Sequence, residues 1–227
     1  MKKLLLFVSA VAGLFLASCQ RETLEPVTGD GTVTITVEAP GAIGTKATIA
    51  DGENVNEVHY AVYKTNDGEP FSVNGGTSPL AQGVVDMSNK KATVTFDLLQ
   101  DQEYTVIFWA QVKDAGHYDL GDLREIKIIR DQDRTVQGND ESRAAFFARY
   151  DFETYEFKNH DVTLKRPFAQ LNLLTTKESL EPKQEGQTQG YTIDVKQSEV
   201  LVEGLAAAFN TVDGEGVGTP VENLMSS

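Results

Sequence analysis

One cysteine, one tryptophan and three histidines are all that 227 residues offer of the side chains used most in disulfides, stacking platforms and metal sites. A lone thiol excludes a disulfide framework. His59, His117 and His160 lie far apart, outside any HExxH or other metal-ligand spacing. His59 falls within a strand pattern and reads as structural, and His117 falls in a turn. No GxSxG elbow is present. The stretch "DGEGVG", Asp213 to Gly218, lacks the P-loop lysine and the third glycine of a dinucleotide turn, so it reads as a plain loop. The acidic stretch from Arg130 to Glu141 lacks the EF-hand order of acids and glycine and reads as a solvated loop, with incidental calcium binding left open. No enzyme and no cofactor are therefore expected. Positive charge is also scarce: 20 Lys and Arg face 34 Asp and Glu, a net charge of −14. That excess makes nucleic acid and anionic membrane surfaces poor partners.

What is present begins at the N-terminus. Lys2 and Lys3 precede an apolar run from Leu4 to Leu16, followed by the small residues Ala17 and Ser18. This is the grammar of a secretory signal peptide, and the run is too short to span a bilayer, which takes about 20 residues. Leu16-Ala17-Ser18-Cys19 looks like the lipobox of bacterial lipoproteins, which implies cleavage between Ser18 and Cys19 and acylation of Cys19. An ordinary signal peptide would leave an exposed thiol in an oxidising compartment. Stable anchoring takes more than one acyl chain, and a lipoprotein carries several. Cleavage there removes two lysines and no acid, taking the net charge from −14 to −16. Residues 1–18 are thus the signal peptide and 19–31 a linker.

Strand patterns follow almost everywhere. Val33, Ile35 and Val37 alternate with threonines, and Ala92, Val94, Phe96 and Leu98 alternate with Thr93, Thr95 and Asp97, each giving one buried and one wet face. "VHYAVY" (Val58 to Tyr63) and "YTVIFWAQV" (Tyr104 to Val112) are apolar on both faces and read as central strands. Further strands are expected at Arg124 to Ile129 and near Gly83 to Met87. Turn chemistry separates them at "NDGEP", "NGG", "SNKK" and "DAGHYDLGD". The fold class expected is all-β, a sandwich. One helix is expected at "NDESRAAFFARY", Asn139 to Tyr150, capped by Asp140 or Ser142. Phe146 and Phe147 cannot both face one core on a helix, so one is expected beneath a loop.

A first β-sandwich domain is read over residues 32–158 and a second, partial one over 159–227. In the latter, Pro167 breaks a long strand pattern and belongs at an edge, a bulge or a strand start. Lys177 to Gly190 is a polar surface loop, and only three or four strands are counted from Asp161 onward. A complete sandwich has around seven. Either the second domain is cut short, or strands come from elsewhere.

The lipobox, the alternating strand after a short linker, "GTKAT" (Gly44 to Thr48), "IFWAQ" (Ile107 to Gln111) and "RPFAQLNLLT" (Arg166 to Thr175) together resemble the fimbrillin family of Bacteroidales, the lipoprotein pilins of type V pili. The resemblance implies transthyretin-like (Ig-like) β-sandwich domains and a lipid-anchored precursor at the cell outer membrane. It also implies a processing protease, and partners that are other pilin subunits joined by donor-strand exchange. Final strands able to act as donor are not evident here, a departure from the family.

Between Glu22 and Tyr63 the only basic residue is Lys46, in the segment Gly41 to Gly52 behind the first strand pattern. A cut between Lys46 and Ala47 would detach that strand together with the anchor; a plain loop lysine is the alternative. The rival function is a glycan-binding surface lipoprotein. It needs exposed aromatics, for which Trp109, Tyr118, Tyr150 and Tyr155 are candidates, although Trp109 lies in a strand apolar on both faces.

Overall fold

The computed structural model describes residues 31–40, 52–66, 69–71, 78–130, 135–137, 140–155, 159–169 and 199–226. Its strands are β1 (Thr32–Glu38), β2 (Glu57–Asn66), β3 (Glu69–Phe71), β4 (Ala81–Asp86), β5 (Lys91–Asp97), β6 (Glu103–Gln111), β7 (Tyr118–Asp119) and β8 (Glu125–Ile128). There follow β9 (Thr135–Gln137), β10 (Ala145–Glu153), β11 (Asn159–Thr163), β12 (Glu199–Leu205), β13 (Ala208–Asn210), β14 (Glu215–Val217) and β15 (Val221–Ser226). No helix among the described residues is long and apolar enough to cross a membrane.

The strands form a β-sandwich with an added layer. A first sheet runs β11-β1-β5, and a second runs β10-β6-β2-β3 with β4 also paired to β2. Alternation in β1 and β5 supplies one apolar face: Val33, Ile35, Val37, Val94 and Phe96 are buried against Val106, Phe108 and Phe146 of the second sheet. The second sheet is apolar on both faces because it is covered on both. Its other face, with Ile107, Trp109 and Phe147, packs on Ile126 and Phe209. Those two residues come from a third sheet, β14-β13-β8-β7. A fourth sheet, β12-β15-β9, completes the described strands.

Two features differ from the sequence reading. The helix expected over Asn139 to Tyr150 is a single 3₁₀ turn, Glu141–Arg143, capped by Asp140 and followed directly by β10. The two phenylalanines explain the outcome: neighbours in a strand point to opposite faces, so a doubly covered strand buries both Phe146 and Phe147 where a helix could not. Phe147 lies against Phe209 of β13, with ring centroids 4.6 Å apart, not beneath a loop.

Asn159, where a second domain was expected to start, opens a strand that pairs in parallel with β1, and Val162 and Leu164 are buried in the core of residues 32–158. β13 likewise pairs with β8. Strands from the C-terminal part thus serve the N-terminal sandwich, because both faces of β6 need covering.

Candidate functional site

β1 occupies the middle of the first sheet. It runs antiparallel to β5 from Thr32↔Asp97 to Glu38↔Lys91, and parallel to β11 from Thr34↔Asn159 to Glu38↔Thr163. The pairing extends past its ends: Leu98 N–H donates to Gly31 O (2.8 Å), Ala39 N–H to Lys90 O (2.9 Å), and Leu164 N–H to Glu38 O (2.8 Å). Val33, Ile35 and Val37 are each at most 1% exposed. Burying such side chains contributes about 1.5–3 kcal/mol apiece. Withdrawing β1 would uncover Val94, Phe96 and Val162 and leave two strand edges without partners. The result would be an apolar groove the width of one strand, lined by two open edges.

The outer face fixes the register as well. Thr32 Oγ1 donates to Asp97 Oδ1 (2.8 Å), Thr34 meets Thr95 and Thr36 meets Thr93 at 3.4 Å each, and Lys91 Nζ lies 3.1 Å from Glu38 Oε2. The Lys91 and Glu38 side chains are more than half exposed, so this pair adds little to stability. It and the threonine contacts do specify which residue faces which.

Ser18, Cys19, Lys46 and Ala47, the lipidation and processing residues expected from the sequence, lie outside the described residues.

The aromatic candidates are dispersed. Trp109 is fully buried, with Tyr118 edge-on at 5.0 Å between centroids. Its Nε1–H donates to Gln111 Oε1 (3.2 Å), and Gln111 Nε2 donates to Glu57 Oε1 (3.0 Å), which also lies 2.8 Å from His59 Nε2. This buried polar chain was not legible in the sequence, because Glu57 and Gln111 meet only when β2 and β6 pair. Tyr118 donates to the Arg143 carbonyl (2.6 Å), and burial pushes its hydroxyl up to about 12, with Asp140 adding to the shift and Arg143 opposing it. Tyr150 is half-buried, bonded to His160 Nδ1 at 2.9 Å and stacked on Phe152. Of the four candidates, Tyr155 alone is exposed, at 58%.

His117, Ser142 and Asp140 also meet. Both Ser142 Oγ (2.7 Å) and Asp140 Oδ2 (3.6 Å) approach the same ring nitrogen, Nε2. Ser142 Oγ is hydrogen-bonded to Asp140 as well, so the cluster ties the segment before β7 to the turn before β10. Among the described residues no group of three or more His, Cys, Asp or Glu side chains could hold a metal ion.

A family of unknown function (DUF6562) matches residues 25–226. No curated protein matches the sequence. Three solved structures overlap it. A Bacteroides thetaiotaomicron protein proposed to bind polysaccharide shares 14% identity at a TM-score of 0.35, over 58% of this chain and 46% of that one. A Bacteroides ovatus protein proposed to act in cell adhesion shares 14% identity at 0.39, over 86% and 71%. A fimbrial assembly protein from Parabacteroides distasonis shares 11% at 0.31, over 79% and 65%. The chain thus spans less than half the length of the first of these.

Proposed function

The chain belongs to the DUF6562 family, and we propose that it is a non-enzymatic cell-surface lipoprotein, a fimbrial subunit or adhesin that assembles by exchange of β1. The observation that carries this reading is the place of β1: the first strand of the sandwich fills the middle of a sheet, paired on both edges and supplying three core side chains. Upstream of it stands the lipobox cysteine, Cys19, and downstream the segment holding Lys46.

In this scheme, acylated Cys19 holds the precursor in the outer membrane. A processing protease cuts between Lys46 and Ala47, and β1 leaves with the anchor. A strand from another subunit then enters between β5 and β11, satisfying their backbone groups and refilling the pockets of Val33, Ile35 and Val37. That is β-augmentation, with main-chain bonds supplying affinity and alternate side chains supplying selection. The glycan-binding alternative is the weaker reading, because three of its four aromatic candidates are buried or half-buried.

Limiting trypsin on the folded chain, followed by N-terminal sequencing and an unheated denaturing gel, tests the proposal. A fragment beginning at Ala47 that forms detergent-resistant, heat-sensitive oligomers is the expected result. Resistance at Lys46, or a cut product that stays monomeric, would overturn the exchange reading.

A further inference from the structure

We propose, resting on the exchange reading, that Lys91 and Asp97 at the two ends of β5 set the direction in which a strand enters the groove left by β1. They thereby select a partner strand with an acid at its C-terminal end and none at its start.

The backbone does not decide the direction. The N–H and C=O groups of odd-numbered β1 residues face β5, since Leu98 N–H donates to Gly31 O and Ala39 N–H to Lys90 O. Those of even-numbered residues face β11, since Leu164 N–H donates to Glu38 O. A strand turned end for end about Ile35 exchanges the two sets. Its Ile35 still lies opposite Val94 and His160, but it now runs parallel to β5 and antiparallel to β11. The groove-facing groups on β5 and β11, those of even-numbered residues, find partners in both cases: an antiparallel ladder bonds a residue to the one opposite, and a parallel ladder bonds it to that residue's two neighbours. Each direction therefore gives one parallel and one antiparallel ladder.

The core does not decide it either. From whichever end Thr32–Glu38 is read, the inward residues run valine, isoleucine, valine, and the two outward residues between the ends are threonines. Asp161 of β11 stands opposite Thr36 and would stand opposite Thr34 in the turned strand, so it meets a threonine both ways.

Only the ends differ. Thr32 Oγ1 donates to Asp97 Oδ1 at 2.8 Å, and Glu38 Oε2 lies 3.1 Å from Lys91 Nζ. In the turned strand the glutamate would face Asp97 and the threonine would face Lys91, which replaces an attraction by a repulsion and removes the hydroxyl bond to Asp97. Exposed pairs of this kind add little to stability. Here, however, they are what distinguishes two otherwise matched arrangements, and together they favour one direction by roughly tenfold.

The test uses the full chain cut between Lys46 and Ala47, by trypsin or at a protease site inserted there. Amidated seven-residue peptides carrying a paramagnetic label at the N-terminus are added in excess. TVTITVE should enter as β1 lay and broaden the amide signals of Asp97 and Leu98. EVTITVT, with its ends exchanged, should enter turned round and broaden that of Lys91 instead. In the variant K91E/D97K the two peptides should exchange directions while keeping affinities within about threefold of the original, a result that a misfolded variant would not give. Lys91→Glu alone leaves an acid at both ends of β5 and should split each peptide between the two directions, with binding weakened roughly fivefold. Both peptides entering the same way, or directions unmoved in K91E/D97K, would overturn the assignment to Lys91 and Asp97 and leave exchange itself standing. A cut chain that takes up neither peptide would overturn exchange, and this proposal with it.

Discussion

Phe146 and Phe147 are neighbours in β10, yet they are buried in two different cores, one packed with β1 and β5 and the other with Phe209. Truncating either should cost about 3–5 kcal/mol, the range for a buried aromatic. Phe108→Ala, in the strand beside β10, should lose about as much, because that ring is fully buried between the two sheets. Denaturant melts of the three alanine variants check this. A helix over Asn139 to Tyr150 would leave one of the adjacent pair nearly neutral, and a loss below about 1 kcal/mol at Phe108 would place β6 at the periphery.

Phe209→Ala tests whether the C-terminal strands belong to the N-terminal sandwich. The ring lies 6.2 Å from Trp109, the only tryptophan. The variant should be destabilised by about 3–5 kcal/mol and should shift the tryptophan emission to the red as water reaches the indole. Unchanged emission would mean that β13 does not cover β6 in solution.

Gly52 has φ +76°, and a Cβ placed on it would lie 2.5 Å from Phe146 ring atoms. Gly52→Ala is therefore strained twice, by backbone and by contact. It should cost about 1–3 kcal/mol in equilibrium unfolding.

Acid should loosen the turn before β10. Burial alone would raise the Asp140 carboxyl, but hydrogen bonds from Ser142 and the charges of His117 and Arg143 outweigh it and hold the group below the ordinary carboxylate range. A depressed folded value stabilises the fold above the unfolded pKa of about 3.9, and that contribution is lost as pH falls through the folded value. The melting temperature should drop below about pH 4, with a shallower drop in Asp140→Asn. Equal slopes would show that Asp140 carries none of the effect.

Cys19→Ala should leave the precursor unprocessed and without acyl mass in the membrane fraction. A variant that is cut and anchored like the original would remove the lipoprotein reading.

Period-2 alternation was enough to place β1 and β5, because the side-chain period of a strand follows from backbone geometry alone, and β2 and β6 were legible as short runs apolar on both faces. The turn at Ser88 to Lys91 was also legible, and Asn89 and Lys90 do adopt positive φ there. The segment from Asn139 to Tyr150 was not. Its alanines and cap residues favour a helix locally, and only the presence of two cores, one on each side of the second sheet, makes a strand the better place for adjacent phenylalanines.

The sequence by itself determined the all-β class, the excess of negative charge and the apolar face of β1, since each is a property of composition or of local spacing. The tertiary structure alone decided that Asn159 to Thr163 lies beside β1 and that Phe209 covers Trp109. Those facts depend on which strands meet across long stretches of chain, and loop closure over such distances leaves no local periodicity to read.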